Sequence, residues 1–145
     1  MQPEDPIAVN QAFNAPIEKV WNAITIRDQM IQWYFDMIPA FSATVGFELS
    51  FTIHHEGKDY VHLWKVTQVV EKKRLVYDWK YAGYPGASYV AWDLSELNGK
   101  TMLHFSHHGW QSFPQDNPDF SRESGTKGWQ HIIQNRLREF LEKEA

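Results

Sequence analysis

Two apolar periods alternate along this chain, and the places where one gives way to the other mark its elements. Ile7, Val9 and Phe13 fall on one side of a two-residue repeat and Ala8, Asn10 and Ala12 on the other, which predicts a short strand over residues 7–13. Asn14-Ala15-Pro16 breaks it. Pro16 then opens a helix whose apolar face is Ile17, Val20, Trp21 and Ile24, at i, i+3, i+4 and i+7. Glu18 sits in its first turn, where the helix dipole favours an acid. A second helical piece is expected from Asp28 through Met30, Ile31 and Trp33 to Tyr34, with Pro39 ending the region.

From Phe41 onward the period is two. Phe47, Leu49, Phe51 and Ile53 alternate with Glu48, Ser50 and Thr52, and His54 to Lys58 reads as a turn. The next strand, Tyr60 to Val70, carries bulk on both faces, so pattern alone assigns no inner side. Leu75, Tyr77, Trp79 and Tyr81 follow after a polar turn, then a Gly83–Gly86 loop and a strand from Tyr89 to Leu97. Asn98-Gly99 is a strong hairpin signal, because a type I′ turn needs positive φ at both central residues. In the partner strand, Thr101 to His108, Leu103 and Phe105 mark the core face, which turns His107 inward with them.

The final stretch, Pro118 to Glu144, returns to the helical period. Trp129, Ile132, Ile133, Leu137, Phe140 and Leu141 form one stripe, and Asn117-Pro118 suits a helix start. A helix of about 25 residues would be roughly 37 Å long, enough to cross a sheet. Gly125 and Gly128 are unusual there, since glycine in a helix costs about 1 kcal/mol against alanine. They suggest room at one end of the helix. A lone amphipathic sheet must bury its apolar face, and this helix is the one large surface to cover it. The expected fold is α+β: a bent antiparallel sheet wrapped around a long C-terminal helix, with two short helices after strand 1, in one domain spanning residues 1–145.

The 22% of charged residues and 43% of hydrophobic ones belong to a globular chain, with net charge −4 and no basic cluster beyond Lys72-Lys73-Arg74. That argues against a nucleic-acid partner. Without cysteine there is no disulfide, thiol nucleophile or thiolate metal site. The polar MQPEDP start argues against a signal peptide, and no apolar run approaches a membrane span, so a cytoplasmic protein is expected. The aromatic share, 15%, is high: such residues either fill a core or line a cavity.

Ala15-Pro16-Ile17-Glu18-Lys19-Val20-Trp21-Asn22-Ala23-Ile24, Trp33-Tyr34-Phe35, Val45-Gly46-Phe47 and Arg74-Leu75-Val76-Tyr77-Asp78-Trp79 come in a telling order. So do Gly99-Lys100-Thr101-Met102-Leu103, His107-His108-Gly109-Trp110 and Gly128-Trp129. Together they resemble the START-like (SRPBCC, birch-pollen-allergen-like) superfamily, and within it the family named for activators of the heat-shock protein 90 ATPase. Where that family often has a second glycine beside Gly46, this chain has Phe47. The resemblance implies a helix-grip fold and a cavity between sheet and helix holding something apolar or aromatic. It does not imply a reaction. True co-chaperone activity resembles that of larger proteins with an additional N-terminal domain.

The chemistry-bearing residues are sparse. His54-His55 and His107-His108 are adjacent pairs whose members point to opposite faces of a strand, so neither chelates, and no His-x-His spacing exists. No metal or cofactor is expected. Carboxylates are not paired for acid–base work, and no nucleophile elbow or phosphate loop is present. No catalytic residue is assigned. His107 reads either as a core histidine with its ring nitrogens paired or as a donor orienting a ligand. Arg136, beside the helix stripe, reads as a snorkelling flank or as an anchor for an acidic group. The expected function is non-catalytic binding of a small hydrophobic or aromatic molecule. Trp79, Tyr77, Phe51, His107 and Trp129 would line the cavity, with Trp33, His62, Phe105, Trp110, Gly125 and Ile133 around it. Two alternatives stay open: a cyclase- or dehydratase-like enzyme using His107 or a tyrosine, and a chaperone-associated interaction module. A weak homodimer is a further partner to consider.

Overall fold

A computed structural model describes residues 5–143. The MQPEDP reading falls largely on residues 1–4 and the expected helix end on Glu144, so both lie outside the described residues. Strand β1 (Ile7–Phe13) leads into helices α1 (Ile17–Thr25) and α2 (Arg27–Trp33). Five strands follow: β2 (Glu48–His55), β3 (Lys58–Val70), β4 (Arg74–Tyr81), β5 (Ser88–Leu97) and β6 (Lys100–His108). All six form one antiparallel sheet in the order β1-β6-β5-β4-β3-β2. The chain's first strand thus pairs with its last, Ile7 opposite His107 through Phe13 opposite Thr101. Helices α1 and α2 lie in the connection between the sheet's two edges.

The alternation predicts the inner faces of β1, β4 and β6 well. Ile7, Val9 and Phe13 of β1 and Leu103, Phe105 and His107 of β6 are buried. The inner face of β3, unassigned by pattern, is Tyr60, His62, Trp64 and Val66; Leu63 and Lys65 face outward. A register shift between Val66 and Gln68 ends this alternation. Asn98 and Gly99 have φ of 54° and 77°, as the type I′ turn requires.

The long helix begins later than expected. Asn117 does act as a cap, its side chain accepting from the Asp119 N–H, but only for a single 3-10 turn, Pro118–Phe120. Ser121 caps the helix proper, its hydroxyl accepting from the Ser124 N–H at 3.1 Å. The helix then runs through α3 (Arg122–Gln130), a π-helical segment (His131–Leu137) and α4 (Arg138–Glu142). At the segment's end the Arg138 N–H reaches the Ile133 carbonyl, five residues back. The physical reason lies in the stripe: the buried residues are Trp129, Ile133, Leu137 and Leu141, each four apart. On an ideal helix a four-residue step overshoots a full turn by about 40°, so four such residues would spiral off the sheet. A locally wider turn keeps them aligned. Ile132 and Phe140 flank this line and are half-buried.

The two helical glycines differ. A Cβ on Gly125 would meet Ile7 Cδ1 at 2.9 Å and Trp110 Cε2 at 2.9 Å, whereas one on Gly128 would meet nothing within 4 Å. Gly125 is therefore a close-packing position and Gly128 an open one. Gly125→Ala should lose stability by about 1–3 kcal/mol through overpacking. Gly128→Ala should gain up to about 1 kcal/mol from helix propensity. Urea unfolding of both variants checks this opposite pair of signs.

Candidate ligand-binding cleft

Beside Gly128, sheet and helix part to leave a cleft of about 240 Å³. Strands β2 to β4 supply one wall through Ile53, Tyr60, His62, Trp79 and Tyr81, and helix and π segment supply the other through Gly128, Trp129 and Ile132. Phe35, just after α2, and Trp110, Asp119 and Phe120 from the segment before α3 complete the lining. The wall is mostly ring faces and edges. Trp79 lies 5.2 Å from Trp129 between ring centres, and Phe120 packs against Tyr60, Tyr81 and Trp110. At roughly 30 Å³ per water in the liquid, the cleft has the volume of about eight waters, close to one small aromatic molecule.

Of the residues expected to line a cavity, His62, Trp79, Trp110, Gly125 and Trp129 stand on this wall. The others lie in the core behind it. Phe51 stacks on His62 at 4.9 Å and 14°, holding that ring from the back. Tyr77 shares a 2.8 Å hydrogen bond with the Tyr34 hydroxyl and accepts from Trp92 Nε1–H at 3.1 Å. Trp33 donates its Nε1–H to the Ala23 carbonyl and stacks on Tyr34. Phe105 packs under Trp129 at 4.2 Å, and Ile133 is fully buried in the helix stripe. Residues the sequence reading did not single out, such as Phe35, Tyr60, Phe120 and Ile132, complete the wall. A Phe after Trp33-Tyr34 was a visible signal; the burial of Tyr60, on a strand with bulk on both faces, was not.

His107 is fully buried and does not line the cleft. Ser88 Oγ donates its hydrogen to the Trp79 carbonyl at 2.6 Å, so it accepts from His107 Nε2–H at 2.8 Å. That leaves Nδ1 bare, and Trp129 Nε1–H donates to it at 3.1 Å. Both ring nitrogens are paired in the neutral Nε2–H form. Protonation would set two hydrogens against each other at Nδ1. Burial, and secondarily the neighbouring His108, lower the His107 pKa to about 3. His62 is neutral too: burial lowers its pKa to about 4, against the opposing effect of its bond to the Tyr60 carbonyl. Arg136 donates to the Tyr34 carbonyl at 3.1 Å, satisfying a carbonyl at the end of α2 rather than reaching the cleft.

At the mouth, Tyr60 donates to Asp119 Oδ2 at 2.6 Å, and His55 and Lys58 of the β2–β3 turn approach the same carboxylate at 3.5 and 3.9 Å. His55, Glu56 and Asp119 bring one ligand atom each within 4.8 Å of one another. Lys58 already places a cation on Asp119, so this cluster is an ion-pair clasp between the hairpin and the turn before α3.

The family model for the activator of Hsp90 ATPase homolog 1-like protein matches residues 14–142. No curated protein sequence matches the chain significantly. Among solved structures, a Chromobacterium violaceum protein is similar at 20% identity and a TM-score of 0.79, covering 97% of this chain and 99% of that one. The Aha1 dimer from Colwellia psychrerythraea is similar at 21% identity and TM-score 0.70, over 95% of this chain and 96% of that one. A protein of the dynemicin biosynthetic locus shows 23% identity and TM-score 0.74, over 98% of this chain and 49% of its own. These likenesses bear out the helix-grip fold. No helix among the described residues is long and apolar enough to cross a membrane.

The two buried histidines set a pH dependence. Their folded pKa values lie below the ordinary 6.5, so the unfolded chain takes up protons between pH 6.5 and 5 that the folded chain refuses. Stability therefore falls as pH falls through this window, by roughly 2 kcal/mol per histidine at pH 5. Urea unfolding at pH 7, 6 and 5 should show this decline above the carboxylate range; a level profile contradicts it.

Proposed function

Since the chain belongs to the activator of Hsp90 ATPase homolog 1-like family, matched over residues 14–142, we propose that it is a cytoplasmic single-domain protein that holds a small apolar or aromatic molecule in the cleft, without catalysis. The observation that carries this reading is the aromatic-walled cleft of about 240 Å³ beside Gly128, a helix position with no neighbour within 4 Å of a built Cβ. A preformed apolar concavity with a few polar groups is the usual form of a small-molecule site. Its volume is a little under the roughly 300 Å³ at the small end of such sites, which favours a ligand of one ring over a lipid chain. The enzyme alternative loses its strongest acid–base candidate, because both nitrogens of His107 are paired inside the core.

Toluene is a fitting probe, and the tryptophan indole N–H signals of Trp79, Trp110 and Trp129 in a ¹⁵N-labelled protein report on the wall. Titration should shift them saturably, with a Kd near 1 mM or tighter, equivalent to about −4 kcal/mol. Gly128→Leu should abolish the shifts by filling the cleft from the helix side, while the remaining spectrum stays that of a folded protein. Equal shifts in both proteins would remove the proposal, as would a native protein that binds no one-ring compound.

A further inference from the structure

The cleft holds one polar pair that the apolar reading does not use. His62 and Tyr81 are direct cross-strand partners on β3 and β4, both on the cleft wall, with ring centres 4.9 Å apart and nearly perpendicular. His62 Nδ1 lies 3.1 Å from the Tyr60 carbonyl, and a carbonyl only accepts, so Nδ1 carries the hydrogen. Its Nε2 is then a bare acceptor with no partner among the described residues. Nor is it sealed in the core, for the one sealed and unpaired side-chain atom among those residues is Trp64 Nε1. Tyr81 presents the complement. Its oxygen accepts from Trp79 Nε1–H at 2.8 Å, which leaves the hydroxyl hydrogen without an acceptor among the described residues. Both side chains are more than nine-tenths buried, His62 at 5% exposure and Tyr81 at 7%. A neutral acceptor and a neutral donor thus stand side by side on an otherwise ring-lined wall. Leaving such groups unpaired in a buried site is costly, and a ligand that pairs both gains specificity from it.

A hydroxyl group is the smallest function that donates to one and accepts from the other. A carboxylate can accept from Tyr81 but meets the bare lone pair of His62, and at the mouth it meets Asp119, which Tyr60 holds at 2.6 Å. The walls ask for an aromatic ring, and the volume admits one ring with small substituents. Resting on the cleft-binding reading above, we infer that the ligand is a neutral phenol, its hydroxyl seated between His62 Nε2 and the Tyr81 hydroxyl. Tyr81 keeps its proton throughout the accessible pH range, because burial holds its pKa well above the ordinary value of 10.0. Burial likewise keeps His62 a neutral acceptor near pH 7, with its pKa lowered to about 4.

Three ring compounds of the same shape separate this inference from the reading beneath it: toluene, p-cresol and p-toluate, each titrated against the native protein at pH 7 with the tryptophan indole signals as readout. p-Cresol should bind about 10-fold tighter than toluene, the return from one to two neutral hydrogen bonds. p-Toluate should bind more weakly than p-cresol. In Tyr81→Phe the ratio of p-cresol to toluene affinity should fall toward one. Equal binding of toluene and p-cresol overturns the inference and leaves the apolar reading standing, as does tighter binding of p-toluate. Saturable binding of none of the three overturns both. The ligand series needs no variant, so it decides the matter even if Tyr81→Phe, which unpairs Trp79 Nε1, folds poorly.

Discussion

The hydrogen bond from Trp129 Nε1 to His107 Nδ1 fixes how the helix sits on the sheet. It is a polar contact in a fully apolar setting, and it works because the histidine's other nitrogen reaches Ser88, which in turn is held to the Trp79 backbone. β4, β5, β6 and the helix are thus joined by one relay with every hydrogen accounted for. Buried polar networks of this kind are worth having only when complete, since a half-paired member costs more than an apolar replacement. On one side of the relay the helix closes onto the sheet through Ile133, Leu137 and Leu141. On the other, Gly125 packs onto Ile7 and Trp110 while Gly128 leaves a gap. The cleft opens beside the Trp129 anchor, where Gly128, exposed on the helix, puts no side chain into the space.

Much of this was legible in the residues. Strand alternation placed His107 inward through Leu103 and Phe105, and Asn98-Gly99 marked its hairpin. The inner face of β3 was not legible, because Val61 and Leu63 are as apolar as Tyr60 and Trp64; pairing with β2 and β4 decides it. The helix start was misplaced for a local reason: Asn117-Pro118 and Ser121 are both good caps, and the first closes a separate 3-10 turn. Periodicity puts Gly125 on the four-residue line with Trp129 and Gly128 off it, but does not show how closely Gly125 is packed. They differ in what β1 and Trp110, remote in the chain, bring near them.

The split between wall and core followed the same rule. Tyr77, Trp33 and Phe105 share the inward face with Trp79 and Trp129, so pattern puts them together. Their place along the sheet separates them: Trp33 and Tyr77 are fully buried, bound to the Ala23 carbonyl and to the Tyr34 hydroxyl, and Phe105 lies beneath Trp129. The rings that reach the cleft lie at the sheet end where β2 to β4 meet the segment before α3. On that wall His62 Nε2 and the Tyr81 hydroxyl hydrogen are left without partners among the described residues.

The π segment has a wider meaning. An α-helix binds its two halves into one phase, so that a residue added or removed at one end rotates everything beyond it. Here the wide turn over His131–Leu137 absorbs that rotation. The half that locks the core and the half that borders the cleft thereby face the sheet along one line, from Trp129 to Leu141.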